Sequence, residues 1–178
     1  MCVEIEAKLK IDSLAQVERK LAELGAEFVA EQAQTDSHLD DAGANLTSTD
    51  RCLRLRRQVV DSNEQYFLTY KGDKQESSFK RRREIETEIS DADSMCKLLS
   101  ELGYEEVLVV EKKRRLWRLD RCEVALDELP LLGCFVEVEG LDETVIADVQ
   151  ERLGLSSLPH IAKSYAHLIK ELHCRRNA

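Results

Sequence analysis

Val3-Glu4-Ile5-Glu6-Ala7-Lys8-Leu9-Lys10-Ile11 alternates apolar and charged residues without a break. A period of two belongs to a β-strand with one dry face and one ionic face. The ionic face carries two carboxylates and then an ammonium group, Glu4, Glu6 and Lys8. Two later stretches repeat the pattern, Glu84-Ile85-Glu86-Thr87-Glu88-Ile89 and Phe135-Val136-Glu137-Val138-Glu139. After each comes a helix-starting Ser or Asp, an amphipathic stretch and a Leu-Gly stop at Gly25, Gly103 or Gly154. Leu21 to Gly25 and Leu99 to Gly103 share Leu-x-Glu-Leu-Gly, a faint internal duplication.

The chain has 178 residues, two prolines and seven glycines, which leaves little room for a flexible linker and implies one domain over residues 1–178. It contains no apolar run long enough to span a bilayer, and Met1-Cys2-Val3-Glu4 does not begin a signal peptide, so a soluble cytoplasmic protein is expected. The six cysteines form no C-x-x-C pair and have no histidine at zinc spacing, which reads as reduced thiols. A net charge of −9 argues against nucleic acid or a membrane surface as partner. The basic residues are nevertheless concentrated, at Arg51 to Arg57, Lys80 to Arg83 and Lys112 to Arg118. Concentrated basic strands in an acidic chain point to an anion site within an acidic exterior.

Ser13 and Gln16 have capping-box spacing, and Leu14, Val17, Leu21 and Leu24 form the stripe of a first helix. Residues from Ala26 to Leu39 read as extended, and His38 among them as a satisfied or exposed histidine rather than a catalytic one. In Leu53-Arg54-Leu55-Arg56 the leucines take one face and the arginines the other. Asp61-Ser62-Asn63 is a turn into a return strand ending Tyr70-Lys71-Gly72, followed by a polar loop at 73–78. Lys80, Arg82, Glu84, Glu86 and Glu88 share one parity. A second helix buries Met95, Leu98, Leu99 and Leu102; a long strand covers Glu106 to Leu119, and another Arg121 to Asp127. Further helices are expected at about Glu143 to Leu153 and Ile161 to His173. The total is eight strand-like segments and about four helices.

Nearly every strand thus has an apolar and a charged face, and helices with single apolar stripes need a surface to cover. An α+β fold follows: an eight-stranded antiparallel closed barrel, helices on its apolar outside, charges lining its bore. The expected basic lining is Lys8, Arg54, Arg56, Lys71, Arg82, Lys112, Arg114 and Lys163. The acidic lining is Glu4, Glu6, Glu84, Glu86, Glu88, Asp127, Glu137 and Glu139. Burying unpaired ions costs several kcal/mol each, so such a bore must be wet, cross-paired or ligand-filled. Guanidinium and ammonium groups in this number suit a ligand with several phosphates, and the carboxylates suit Mg²⁺ or Mn²⁺. No Gly-rich phosphate loop is present, which excludes P-loop chemistry. The reading requires Arg54 and Glu137 to face one bore.

Glu4-x-Glu6-x-Lys8 resembles the E-x-E-x-K signature of the CYTH superfamily, the triphosphate tunnel metalloenzymes, which include class IV adenylyl cyclases, thiamine triphosphatases and inorganic tripolyphosphatases. The resemblance continues through Leu53 to Arg56, Leu68 to Gly72, Arg82-x-Glu84-x-Glu86, Lys112-x-Arg114, Leu126-Asp127, Leu132-Gly133, Val136 to Glu139 and Lys163-Ser164-Tyr165. It implies an eight-stranded tunnel, a small-molecule triphosphate substrate and a divalent metal. By that likeness Lys8, Arg54, Arg56, Lys71, Lys112, Arg114 and Lys163 grip the triphosphate. Glu4, Glu6, Asp127, Glu137 and Glu139 hold metal and position a water, with Glu86 and Glu88 as auxiliary ligands or salt-bridge partners. Glu4, Glu6 and Lys8 are the catalytic set; the general base stays open among Glu4, Glu6, Glu137 and Glu139.

Two reactions fit this pocket. Water attacking the terminal phosphorus releases orthophosphate; the ribose 3′-hydroxyl of ATP attacking the α-phosphorus gives cyclic AMP and pyrophosphate. The cyclase branch usually carries His-Phe ahead of E-x-E-x-K and an H-F-x-x-P segment. Here only Met1-Cys2-Val3 precedes Glu4, and His38-Leu39-Asp40-Asp41-Ala42 lacks the Phe and the Pro. Asp36 to Asp41 reads as the phosphatase type, so a triphosphatase is expected, with the cyclase second and a non-catalytic triphosphate binder third. The substrate's organic group, the choice of metal and homodimerisation stay open.

Overall fold

The computed structural model describes the backbone of residues 2–75 and 79–176, and side chains at 5–73 and 79–175. Its eight strands close into one antiparallel barrel. In chain order they are β1 (Cys2–Ile11), β2 (Glu27–Asp41), β3 (Cys52–Val60), β4 (Asn63–Gln75), β5 (Lys80–Ile89), β6 (Tyr104–Leu119), β7 (Cys122–Leu129) and β8 (Gly133–Gly140). Around the barrel they run β1-β5-β4-β3-β2-β6-β7-β8, and β1 closes it by pairing with both β5 and β8. The opening stretch of the chain is therefore the closing strand of the sheet.

Five helices accompany the barrel: α1 (Leu14–Glu23), α2 (Asn45–Ser48), α3 (Ala92–Glu101), α4 (Glu143–Arg152) and α5 (Tyr165–Arg176). The short α2 and the later start of α5 differ from the sequence expectation. The carboxylate of Asp40 accounts for α2, accepting hydrogen bonds from the backbone N–H groups of Leu46 and Thr47 at 3.0 and 2.8 Å. The capping box at Ser13 does not form; its backbone is extended, but its side chain makes no cap bond. Asp91 and Asp142 do cap, accepting from the N–H groups of Ser94 and Thr144 at 2.9 and 2.7 Å. The expected turn after β3 has Asp61 and Ser62 at φ 46° and 69°, the two left-handed residues of a type I′ hairpin.

Alternation decides which side of the sheet is dry. Ile5, Ala7 and Leu9 of β1, Val124 and Leu126 of β7 and Val136 and Val138 of β8 form one buried cluster. Leu14, Val17 and Leu21 of α1 and Ile146 and Val149 of α4 cover them. On the far side, Leu39 and Leu55 pack with Leu99 of α3. The helices thus lie on the outer face and leave the ionic residues inside. α5 is the exception: Tyr165 and Ile169 pack on Val110, Leu129 and Phe135, which have inward parity, so this helix covers one end of the bore.

Among the described residues no helix is long and apolar enough to cross a membrane. The described cysteines, Cys52, Cys96, Cys122, Cys134 and Cys174, are all unbridged. Replacing the fully enclosed Leu126 by Ala should lower unfolding free energy in urea by about 2–5 kcal/mol, whereas Leu102→Ala, on a side chain 66% exposed, should change it by less than about 0.5 kcal/mol. Equal losses would contradict the burial of Leu126 under the helices and the exposure of Leu102, which with Leu98 is exposed although the sequence pattern placed both on the buried side of the second helix.

Candidate active site

Inside the barrel lies a cavity of about 770 Å³. Its walls include Glu6, Lys8, Arg54, Arg56, Lys71, Arg82, Glu86, Lys112, Arg114, Glu137 and Glu139, so Arg54 and Glu137 face the same bore. Inward parity on strands around the barrel puts them there: β3 supplies Arg54 and Arg56, β6 Lys112 and Arg114, β8 Glu137 and Glu139.

Three other side chains named from the sequence, those of Lys163, Glu88 and Asp127, do not line the cavity. Lys163 is about half exposed before α5, bonded to Glu171, and only its backbone carbonyl turns inward, accepting from Lys8 Nζ at 3.3 Å. Glu88 is exposed and accepts a bond from Gln65. Asp127 is fully buried, and Arg114 grips it with Nε at 2.7 Å and Nη2 at 2.6 Å while the Tyr165 hydroxyl donates to it at 2.9 Å. The backbone of Glu4 pairs with Arg82, but its side chain falls outside the described residues.

The cations divide into two kinds. Arg56 is fully engaged, its Nε and Nη2 forming a fork to the two oxygens of Asp36 at 2.6 and 2.8 Å. Arg54 reaches Thr69 at 3.0 Å, Glu86 at 3.4 Å and Asp36 at 3.5 Å. Lys71 meets Glu84 at 2.6 Å. Arg82 and Lys112 are loosely matched: both are buried, Arg82 has Nε and Nη2 without a hydrogen-bond partner among the described residues and meets Asp50 only at 3.7 Å, and Lys112 lies 3.9 Å from Asp36. Burial therefore lowers the Lys112 ammonium to about 7, and Arg114 and Arg56 push the same way against Asp127 and Asp36. Two buried cations with only long carboxylate contacts among the described residues can accept further anionic oxygen.

The carboxylates gather on β1 and β8, which pair Glu6 with Glu139 and Lys8 with Glu137. Lys8 Nζ sits between Glu137 at 3.1 Å and Glu6 at 3.5 Å, and Lys80 donates to both oxygens of Glu6 at 2.9 Å. Burial would raise Glu137, but Lys8, Arg114 and Lys112 outweigh it and hold this group well below the usual carboxylate range. Glu137 is thus ionised at neutral pH. Among the described residues no three His, Cys, Asp or Glu side chains are already gathered as a cation cage. The donor chemistry still fits a hard divalent cation: oxygen ligands on paired strands, two of them converging on a positive centre, the Lys8 ammonium.

Several lining groups escaped the sequence reading. Asp36 is the buried anion that grips Arg56, and despite the cost of burial the charges of Arg54, Arg56 and Lys112 keep it well below the usual range. The signal for it was the alternation Gln32-x-Gln34-x-Asp36-x-His38, which places all four side chains on the cavity wall. His38 lies with its Nδ1 3.3 Å from Cys52 Sγ. Burial, aided by Arg54 and opposed by Asp36, brings this imidazole down to about 4 and leaves it neutral. The Tyr165 ring carries Lys8 Nζ at 4.2 Å from its centroid and Lys112 Nζ at 5.3 Å.

Comparison with known proteins agrees with this architecture. The CYTH domain profile matches residues 3–165. A Methanocaldococcus jannaschii protein named "putative adenylate cyclase" is 33% identical over 150 residues, 84% of this chain and 81% of that protein. A Pyrococcus horikoshii protein of known structure has a TM-score of 0.84 and 30% identity, covering 95% of this chain and 99% of that one. A Hippeastrum protein described as a "putative adenylyl cyclase" with a dominant triphosphatase activity has a TM-score of 0.71 over 94% of this chain and 95% of that one. At 18% identity that likeness extends to the fold alone. A match over nearly the whole chain and a barrel walled with paired cations and carboxylates lead to one assignment: this protein belongs to the CYTH family of triphosphate tunnel enzymes.

Proposed function

We propose that this protein is a divalent-metal-dependent triphosphatase in which water attacks the terminal phosphorus of a bound triphosphate, breaking the bond to the bridging oxygen and releasing orthophosphate. The observation that carries the reading is the pair of under-compensated buried cations, Arg82 and Lys112, in a bore also walled by Arg54, Arg56, Lys71 and Arg114. Guanidinium forks and ammonium groups hold phosphate oxygens and stabilise the negative charge that develops as the bond breaks. Glu6, Glu137 and Glu139 would hold Mg²⁺ or Mn²⁺, which when bound neutralises phosphate charge and activates water. Lys8, between Glu6 and Glu137, orients those carboxylates toward the bore.

The cyclase is the second reading, and the name of the M. jannaschii relative favours it. Hydrolysis is preferred because the residues after His38 are Leu39, Asp40 and Asp41, without the Phe and Pro of the cyclase segment, and Asp40 is committed to holding α2. Purified protein incubated with tripolyphosphate, thiamine triphosphate or ATP and either metal separates the readings. Orthophosphate supports the hydrolase, cyclic AMP with pyrophosphate supports the cyclase, and binding without turnover leaves a non-catalytic receptor.

Glu6→Gln should retain the melting profile and lose about a hundredfold or more in kcat, and an unchanged rate would remove Glu6 from the reaction. Arg82→Ala should raise KM about tenfold or more by deleting phosphate contacts. Lys112 predicts a pH signature. Above about 7 its amine is neutral in the empty bore and must take up a proton to pair with phosphate. Tripolyphosphate affinity measured by calorimetry should therefore fall as pH rises above that value, by up to about tenfold per unit. Proton uptake should accompany binding there and disappear in Lys112→Met.

A further inference from the structure

Alternate residues leading into α5 fasten one lysine of the bore. The backbone N–H of Ile161 donates to the carbonyl of Lys8 at 2.8 Å, and the carbonyl of Lys163 accepts from Lys8 Nζ at 3.3 Å. Tyr165, the first residue of α5, holds its ring under the same ammonium, 4.2 Å from the centroid. Lys112 Nζ lies over that ring at 5.3 Å. One aromatic face is therefore shared by ammonium groups from β1 and β6, two strands that do not pair with each other.

The Tyr165 hydroxyl acts on a third cation. It donates to Asp127 at 2.9 Å, and Asp127 grips Arg114 through both carboxylate oxygens. Arg114 continues to Glu137, which in turn meets Lys8 at 3.1 Å. The path thus closes on itself, from the hydroxyl through Asp127, Arg114, Glu137 and Lys8 back to the face of the same ring. Tyr165 is only 7% exposed, and Phe135 fixes the ring plane by an edge contact at 5.1 Å and 70°. An aromatic face suits this place better than another carboxylate. A carboxylate would neutralise an ammonium and compete with phosphate for it, whereas the ring attracts the cation and leaves its charge and its N–H donors for a ligand.

We propose that Tyr165 is the positioning residue of the bore: its ring holds the Lys8 and Lys112 ammonium groups where phosphate oxygens meet them, and its hydroxyl, through Asp127, directs Arg114. This rests on the reading that the bore takes a triphosphate. The three cations hold the ligand, and Tyr165 acts through them.

The test is the dissociation constant for tripolyphosphate with Mg²⁺, measured by calorimetry on wild-type protein, Tyr165→Leu, Tyr165→Phe and Ile169→Ala, with thermal melts to follow folding. Tyr165→Leu removes ring and hydroxyl and should weaken binding about tenfold or more. Tyr165→Phe keeps the ring and should lose only about threefold. Ile169→Ala loosens the same helix without touching a cation, so it should lower the melting temperature while changing affinity by less than about twofold. A Tyr165→Leu loss no larger than that of Ile169→Ala assigns the tyrosine to packing of α5 and overturns the proposal, as does a Tyr165→Phe loss equal to that of Tyr165→Leu. If Tyr165→Leu does not fold, nuclear magnetic resonance of the wild type decides. The ε-methylene protons of Lys8, above an aromatic face, should resonate upfield of ordinary lysines and stay there when tripolyphosphate and Mg²⁺ are added; their return to the ordinary position overturns the proposal. Orthophosphate release is followed separately. Tight binding without turnover ends the triphosphatase reading and leaves the affinity ratios to decide the role of Tyr165, whereas no binding by the wild type ends both.

Discussion

Ions held inside a closed sheet are the constraint on which the rest of this structure depends. A barrel of eight strands has two faces, and alternation forces every second residue of each strand onto the inner one. Here the outer face took the hydrocarbon, under α1, α3 and α4, and the inner face was left with arginine, lysine, aspartate and glutamate. A dry interior would forbid this, since removing such groups from water costs more than most pairings return. The bore meets the cost in three ways: by bidentate pairing, as in Arg56 with Asp36; by shared networks, as in Lys8 with Glu6 and Glu137; and by staying open as a cavity of about 770 Å³.

Pairing is uneven, and that unevenness separates scaffold from receptor. Asp127 is fully buried and satisfied by Arg114 and Tyr165, so it works as an anchor that fixes Arg114 in direction. Asp36 does the same for Arg56. Arg82 and Lys112 have only looser contacts among the described residues, to Asp50 at 3.7 Å and to Asp36 at 3.9 Å. A charge already neutralised by a rigid partner contributes shape, whereas a charge held without one is poised for an incoming anion. Anchored and unanchored cations of the same type therefore stand side by side in one wall.

Much of this was legible in the sequence because strand parity is a local property. Glu4-x-Glu6-x-Lys8 and Arg54-x-Arg56 announce their shared faces in a few residues, and Gly25, Gly103 and Gly154 mark the helix ends with positive φ as expected. Asp61-Ser62 likewise announced its turn. What depended on distant partners was not legible. Lys163 shares a motif with Tyr165, yet only the tyrosine reaches the interior, because α5 begins at Tyr165 and turns the lysine toward Glu171. Asp127 was expected on the lining by parity, but the grip of Arg114 on both of its oxygens comes from a neighbouring strand and is not announced by its own stretch of sequence. Gln32, Gln34 and Gln58 carry no charge to draw the eye, and their amides meet only once β2 and β3 are in register. Ser13 has the right residue type for a cap and makes no bond, since propensity proposes such a contact without enforcing it.

The position of β1 has one more consequence. It comes first in the order of elements, yet its neighbours are β5 and β8, with Cys2 opposite Glu84 and Ile5 opposite Gly140. Contacts so distant along the chain form late and slowly. Until they form, β5 and β8 each present a row of unpaired backbone groups, the kind of edge through which sheets of separate molecules join. The strand that places Glu6 and Lys8 in the bore thus also covers both of these edges, and without it the sheet would be open on two sides and the cavity would lack one wall.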